Sequence, residues 1–380
     1  MHAALMRSLS HLSYTGLVIL LSACSTVIEK ETPAVGLPHP PVRQELQAKV
    51  IPAIKETTIT AVGDIMLGGS ATAEMQRYGY DHPFAQTHDY LHGADITFGN
   101  LEGPLTHGGD SATEKKYVFK SPPEKVASAL AQAGFDVMSL ANNHALDYGV
   151  KGLTDTTNAL NNSGIGFIGA GENLDQAREA YIIVRNGIRF AFLAYSLTFP
   201  ETFWAKENQP GTAFGHARHI QEDVLAARQV ADVVLVSFHW GRESTTDLRP
   251  YQIALAKTAI QSGASAVIGH HPHILQAVER YRDGLILYSL GNFAFGSYSR
   301  KARVSVIAQI IFRGSMLQRL EMIPIDVDNV NVIFQPTPLR GEAANEVIKT
   351  LQTLSASRGT MLEQKGDKAV LEFTAIDNAR

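Results

Sequence analysis

Short apolar segments alternate along this chain with segments of helical spacing, and polar residues directly follow most of the apolar ones. Strand-like runs lie at 57–62, 95–98, 137–140, 182–183, 190–195, 233–238, 266–268, 285–289, 304–312 and 320–325. Helical patterns lie at 122–132, 150–161, 220–230 and 251–261, followed by a predicted helix at 341–357 and a short strand at 369–374. This alternation favours an α/β domain with much of its sheet buried on both faces.

Composition limits the classes to which the chain can belong. Its 380 residues are 45% hydrophobic and 18% charged, which suits a globular protein with a full core. The length allows two domains, although a single large α/β domain also reaches this size. A net charge of −4, without an extended Lys/Arg block, argues against a nucleic-acid partner.

The N-terminal region carries the single cysteine, Cys24. An apolar run at 16–21 ends in Leu21-Ser22-Ala23-Cys24, and we predict that residues 1–24 form a secretory signal. Leu-Ser-Ala-Cys resembles the lipobox of bacterial lipoproteins, in which the cysteine is acylated. The alternative is an ordinary secretory signal with an incidental cysteine. The proline-rich residues 25–56 are predicted to tether the folded part to a membrane.

The densest group of potential metal ligands is Gly269-His270-His271-Pro272-His273, after the apolar run at 266–268. Neutral imidazole is the commonest protein ligand for transition metals. The alternative is a surface loop that happens to be rich in histidine. We favour His271 and His273 as the ligands, on the expectation that alternate residues of an extended loop point the same way.

Further polar residues follow other predicted strands, at the sheet edge where α/β proteins bind ligands. The set comprises Asp64, Asn100, Glu102, Asn142, Asn143, His144, His239, Glu243 and Asn292. Each has a structural alternative: a turn or cap for Asp64, Asn292 and the asparagine pair, a solvated turn for Glu102, and an ordinary strand-end histidine for His239. Their repetition at strand ends favours a shared site.

The residue types suit two neighbouring divalent metals, because carboxylates can bridge hard cations and imidazoles favour Zn, Fe or Mn. Such a site activates water and holds the oxygens of a phosphoryl or acyl centre. His144 is placed to protonate a leaving group. Glu243 or Asn292 could orient a ligand imidazole from outside.

These segments resemble the CapA family of poly-γ-glutamate capsule-synthesis proteins (also called PgsA), a branch of the calcineurin-like metallophosphatases. The resemblance keeps the family's motif order from Gly63-Asp64 to Asn292-Phe293, and 336–360 is similar to its C-terminal extension. It implies a four-layer α/β/β/α sandwich at 57–326, with residues 327–380 as an extension packed on the same domain. It also implies one or two divalent ions (Mn, Fe or Zn), His144 as the catalytic histidine, and as metal ligands Asp64, Glu102, Asn143, His239, His271 and His273.

The resemblance also reveals two departures. Calcineurin-like phosphatases carry Asp-x-His in the first motif, whereas Ile65 and Met66 follow Asp64 here, so one ligand is missing and a single metal is possible. Glu102 stands where those enzymes usually have aspartate.

Three functions are consistent with these features. The first is a lipid-anchored envelope metallohydrolase, facing the periplasm or the cell exterior, that acts on a phosphoester or a γ-glutamyl amide of a polymer or peptide. The second is a non-catalytic component of a capsule-polymer synthesis or export complex. The third is a metal-free polysaccharide-binding lipoprotein. The aromatic- and proline-containing loop 198–214 either covers the site or packs against the fold, and core packing is favoured for Trp240 and Phe293.

Overall fold

The computed structural model describes residues 55–373, which fall within one compact unit. The predicted signal, Cys24 and nearly all of the tether lie outside the described residues, as does the end of the predicted strand at 369–374. Within the described range, the strands are β1 (Glu56–Met66), β2 (Ile96–Leu101), β3 (Val137–Ser139), β4 (Gly166–Ile168), β5 (Ala170–Gly171), β6 (Tyr181–Arg185), β7 (Ile188–Ser196), β8 (Gly211–Thr212), β9 (Val233–His239), β10 (Ala266–His270), β11 (Val278–Tyr281), β12 (Gly284–Leu287), β13 (Asn292–Phe295), β14 (Val304–Arg313), β15 (Met316–Asp326), β16 (Thr337–Pro338), β17 (Glu363–Lys365) and β18 (Lys368–Glu372).

The helices longer than ten residues lie close to their predicted positions. The helices of the described range are α1 (Thr72–Tyr78), α2 (His88–His92), α3 (Pro123–Ala133), α4 (Gly149–Asn162), α5 (Leu174–Ala177), α6 (Ala217–Val230), α7 (Pro250–Gln261), α8 (Asn329–Val332) and α9 (Gly341–Ala356). Proline occupies the first turn of α3 and α7, where its missing N–H costs nothing. Gly134 ends α3 in the left-handed conformation. None of the helices within residues 55–373 is long and apolar enough to cross a bilayer.

Two large sheets form the centre of the molecule. The first is mixed, with the order β17-β18-β15-β14-β1-β2-β3-β4, and β13 pairs with β1 while β16 pairs with β15. The second has the order β11-β12-β10-β9-β7-β6, and its central four strands are parallel. Every residue of β9 is buried, as expected for a parallel strand covered on both faces.

The sheets pack face to face, and helices cover their outer faces. Phe98 of β2 stacks on Phe192 of β7, with ring centroids 5.9 Å apart, in the core shared by the two sheets. Helices α3 and α4 pack on the outer face of the first sheet, whereas α6 and α7 pack on the second. The four-layer α/β/β/α architecture predicted from the sequence is confirmed. The parallel strands of both sheets end on one side of the molecule, where the polar residues lie.

The close approach of β1 to the turn before β13 requires a glycine. A Cβ added at Gly63 would lie 2.0 Å from the carbonyl oxygen of Gly291. We expect Gly63→Ala to lower the free energy of unfolding by about 3 kcal/mol, because neither backbone can move without disturbing the sheet. Urea denaturation measures this change.

Gly108 provides a matched control, because the nearest atom to its added Cβ is the flexible Lys120 Nζ, at 4.0 Å. We expect Gly108→Ala to change stability by about 1 kcal/mol at most. Equal stability of the two variants would contradict the close packing of β1 against Gly291.

Candidate metal centre

The first sheet brings three polar side chains together at the carboxyl end of its central strands. Asp64 of β1 is level with Asn100 of β2 and Asn292 of β13 in the strand register. The Asn100 amide donates a 2.8 Å hydrogen bond to Asp64 Oδ1. Burial alone would raise the pKa of Asp64, but the hydrogen bond to His273 and the nearby imidazoles outweigh it and hold the pKa well below its usual range. Asp64 is therefore a carboxylate.

The second sheet supplies His239 at the end of β9, which faces two other predicted ligands. Its Nε2 lies 2.7 Å from Asn143 Oδ1 and 3.1 Å from His271 Nδ1. Its Nδ1 lies 3.3 Å from the Asn100 amide nitrogen. One ring nitrogen thus faces an amide oxygen and a second imidazole nitrogen, and a single N–H cannot be donated fully to both.

Glu102 lies between these groups and is fully buried. Neither of its carboxylate oxygens has a hydrogen-bond partner among residues 55–373. Its Oε1 is 3.5 Å from His239 Nε2 and 3.9 Å from His273 Nε2. Burial alone would raise the pKa of Glu102, but the nearby imidazoles outweigh burial and hold it below its usual range. The alternative of a solvated turn at Glu102 is wrong, and a buried carboxylate without donors indicates a place for a cation.

His273 connects Glu102 to the end of the first sheet. Its Nδ1 lies 2.9 Å from Asn292 Oδ1 and 3.2 Å from Asp64 Oδ2. Burial alone would lower the pKa of His273, but the Glu102 charge and the hydrogen bond to Asp64 outweigh it and raise the pKa to about 10. Asn292 thus lies where an acceptor can orient the His273 ring.

Glu243 lies at the margin of this group rather than within it. Its charge contributes to the raised pKa of His273. The side chain is exposed, however, and no hydrogen bond joins it to an imidazole in the described part of the chain. Of the two residues considered for orienting an imidazole, only Asn292 is in hydrogen-bonding position.

Two expectations about the histidine cluster need correction. His270, named as a possible additional site residue, has its nitrogens 3.3 Å from Ser237 Oγ and 3.2 Å from the Val62 carbonyl oxygen. It therefore joins the two sheets. The loop is also not extended at its other histidines, since φ is 92° at His271 and 61° at His273. Histidine tolerates this left-handed region better than most residues, and these turns bring the two rings together.

His144 lies beside the cluster and is paired with an acid one turn further along the chain. Its Nδ1 is 2.7 Å from Asp147 Oδ2, and its backbone N–H donates a 3.0 Å hydrogen bond to Asn142 Oδ1. The Asn142 amide in turn donates to Asn100 Oδ1 at 3.2 Å. Asn142 and Asn100 thus form a polar bridge from Asp64 to His144.

Lys115 was not identified from the sequence, and the role of Asp147 was missed. The Lys115 ammonium contacts Asp147 Oδ1 and the Asn143 carbonyl oxygen, and lies 2.9 Å from His144 Nδ1. Burial lowers the pKa of Lys115, and the Asp147 charge offsets this in part. The contact of Asp147 with His144 could have been predicted from the sequence, because Asp147 lies three residues after this candidate catalytic histidine. No sequence pattern predicts the contact of Lys115, because this residue approaches His144 from a loop that is distant in the chain.

A cleft opens from Asn143 and His271 toward solvent. Its volume is about 720 Å³, and part of the loop 198–214 forms one side of it. Trp204 and Phe214 of that loop line the cleft, so the loop borders the site. Trp240 and Phe293 are almost wholly inaccessible, which confirms that both fill the core.

The donor atoms lie close enough together to surround a cation. Ligands about 2.0–2.2 Å from a transition metal lie about 3–3.5 Å from one another. His239 Nε2 lies 3.1 Å from His271 Nδ1 and 3.5 Å from Glu102 Oε1, within that spacing, whereas Asn143 Oδ1 is closer, at the hydrogen-bond distance of 2.7 Å. There are two sets of donors, and within each set the ligand atoms all lie within 4.8 Å of one another. The first is Asp64, Glu102 and His239, and the second is Glu102, His271 and His273. Glu102 belongs to both sets.

Comparisons with known proteins identify similar chains. The family model described as bacterial capsule synthesis protein PGA_cap matches residues 58–297. The capsule biosynthesis protein CapA of Bacillus anthracis is 32% identical over 325 residues, covering 84% of this chain and 78% of that protein. The PGA biosynthesis protein CapA of Bacillus subtilis is 30% identical over 286 residues, covering 75% and 74%. A solved putative 5'-nucleotidase from Staphylococcus aureus is 13% identical, covering 79% of this chain and 58% of that chain, with a TM-score of 0.46.

Proposed function

Because the chain belongs to the bacterial capsule synthesis protein family PGA_cap, we propose that it is a metal-dependent hydrolase of the cell envelope. Its substrate is an envelope polymer or peptide, in which it cleaves a phosphoester or a γ-glutamyl amide bond. One observation carries this proposal: the Glu102 carboxylate is fully buried, lacks a hydrogen-bond partner among the described residues, and lies among imidazoles.

The residues that would hold one or two Mn, Fe or Zn ions are Asp64, Glu102, Asn143, His239, His271 and His273. Ions of this class activate water for attack and stabilise negative charge on a phosphoryl or acyl oxygen. Three asparagines outside this set would orient the groups within it. Asn100 contacts Asp64, Asn142 accepts a hydrogen bond from the backbone of His144, and Asn292 contacts His273.

His144 would donate a proton to the leaving group. His144 Nδ1 lies 2.7 Å from Asp147 Oδ2 and 2.9 Å from the Lys115 ammonium, which leaves Nε2 as the ring nitrogen that exchanges a proton with the substrate. Asp147 is itself held by the Lys115 ammonium and by a 2.7 Å hydrogen bond from the Phe119 backbone N–H. The imidazole orientation is therefore fixed before substrate binds.

Family membership and the N-terminal sequence support an envelope location. Acylation of Cys24 would hold the folded domain at a membrane, facing the periplasm or the cell exterior, with the residues between Cys24 and β1 as the tether. The partners are then the envelope polymer and other components of a capsule synthesis complex.

The proposal is tested by hydrolysis assays on the full chain. The protein is stripped of metal, reloaded separately with Mn, Fe or Zn, and assayed with aryl phosphomonoesters, aryl phosphodiesters and γ-glutamyl anilides. We expect turnover of at least one substrate class that chelator abolishes and metal restores. Absence of metal-dependent turnover across all three classes would contradict hydrolase function.

Metal affinity is expected to rise with pH. Since the pKa of His273 is about 10 in the metal-free protein, this imidazole is protonated on both nitrogens, and therefore positively charged, at neutral pH. A ligand imidazole must be neutral, so metal binding displaces one of these protons, and affinity rises about tenfold per pH unit over roughly pH 6 to 8. Competition with a fluorescent chelator measures this slope, and a flat profile would contradict ligation by His273.

One observation favours a second candidate, a non-catalytic component of the capsule synthesis complex. Ile65 and Met66 follow Asp64 where metallophosphatases carry a histidine, and both side chains are buried in the core. They supply no nitrogen to the site, so the first metal would have fewer protein ligands. In that case the metal would be structural or would bind carboxylates of the polymer.

A further inference from the structure

The cleft beside the candidate metal centre has walls of a different chemical character from the centre itself. One end is formed by Asn143 and His271, two of the proposed ligands. Further out it is lined by four aromatic side chains and two carboxylates: Phe199, Trp204, Phe214, Tyr251, Glu201 and Glu243. A substrate whose reacting group lies at the centre would extend along these walls.

The aromatic wall is built around Trp204. Its ring centroid lies 4.1 Å from that of Phe214 and 5.8 Å from that of Phe199. The indole N–H donates a 3.0 Å hydrogen bond to the Thr198 carbonyl oxygen, which fixes the ring. Phe199 is 69% exposed, so its ring is accessible to a ligand in the cleft.

The two carboxyl-bearing side chains that line the cleft are Glu201 and Glu243. Glu201 and Glu243 are both exposed, and neither carboxylate forms a hydrogen bond or an ion pair with another residue in the described range. No lysine or arginine from residues 55–373 is among the side chains that line the cleft. A polymer with many carboxylates would meet like charges here, whereas a cation would meet two carboxylates and several aromatic faces.

We propose that this cleft binds a primary ammonium group of the substrate, held between the aromatic wall and the Glu201 and Glu243 carboxylates. This inference rests on the proposed function, because the proposed function places the reacting bond of the substrate at Asn143 and His271 and so sets the direction in which the substrate lies. It names the substrate class more closely: an amine-bearing peptide or polymer unit, rather than a stretch of polyanion, occupies this side of the site.

Trp204 reports directly on binding to the cleft. The chain contains two tryptophans, and Trp240 is fully buried against Phe238 and Tyr288. Fluorescence of the full chain, metal-free and metal-loaded, is titrated with N-acetyl-lysine amide. Its ε-acetylated form is the matched neutral probe, and a γ-linked glutamate pentamer is the anionic probe.

We expect saturable binding of the lysine probe, about tenfold weaker binding of the acetylated probe, and no response to the pentamer. The double substitution Glu201→Gln/Glu243→Gln should weaken binding of the lysine probe by a similar factor. Glu207→Gln, an exposed acid of the same loop that does not line the cleft, should leave binding unchanged. Metal content is measured for each variant.

Two results would overturn the inference: binding of the pentamer at least as tight as that of the lysine probe, or absence of saturable lysine binding. Equal binding of the charged and acetylated probes, or no effect of the double substitution, would also overturn it. If the metal-loaded protein hydrolyses phosphoesters but does not bind the lysine probe, this inference alone is refuted. A protein that binds the probe but never retains metal would instead refute the proposed hydrolase.

Discussion

Replacing His144 with alanine is expected to lower turnover by about 10²–10⁴-fold while leaving the bound metal in place. The imidazole is paired with Asp147 through Nδ1 at 2.7 Å and belongs to neither group of close-lying metal donors. Its loss therefore removes the proton donor without removing a ligand. The measurement is turnover on whichever ester or amide the metal-loaded protein cleaves, together with metal content on the same sample.

The control for this variant is His88→Ala, an exposed histidine on α2. We expect it to retain full turnover and full metal content. Unchanged turnover in His144→Ala would contradict catalysis by this residue and favour the non-catalytic component. Loss of metal together with turnover would show instead that His144 acts as a ligand.

Replacing Glu102 with glutamine is expected to remove the stabilisation that metal gives to the fold. A ligand present at about 100 times its Kd stabilises the native state by about 2.7 kcal/mol. Because Glu102 is shared by both groups of donors, its neutral isostere should weaken metal binding at each of them. The wild-type protein should therefore gain stability when metal is added, and Glu102→Gln should gain almost none.

Thermal unfolding with and without metal measures this difference. Glu172→Gln, an acid exposed near α5, is the matched control and should respond to metal as the wild-type protein does. A variant at Glu102 that is stabilised by metal as strongly as the wild type would contradict the placement of this carboxylate at the centre.

The sequence was most informative where burial imposes a periodic pattern. The helices α3, α4, α6 and α7 and the buried strands β7 and β9 lie close to their predicted positions, because each presents an apolar face or is covered on both sides. Strands without such a pattern were missed. Examples are β11, an edge strand, and the two-residue strands β5 and β8, whose pairing depends on tertiary packing.

Side chains at the site were harder to predict than strand ends. Parallel strand register is sufficient to bring Asp64 level with Asn100, so their proximity follows from the order of elements. The direction of the His270 ring depends on contacts with Val62 and Ser237, which are distant in sequence. Lys115 reaches His144 from an irregular loop. No periodicity indicates such a contact, which only the folded chain establishes.

Metal content is the most direct test of the central claim. The full chain, purified without chelator and offered Mn, Fe or Zn, is analysed by plasma mass spectrometry beside His271→Ala/His273→Ala. The surface pair His88→Ala/His92→Ala, whose rings stack 5.1 Å apart on α2, is the matched control. We expect one or two metal ions per chain in the wild type and the control, and none in the His271→Ala/His273→Ala variant. Absence of metal from the wild type after reloading, or full retention in that variant, would contradict this expectation.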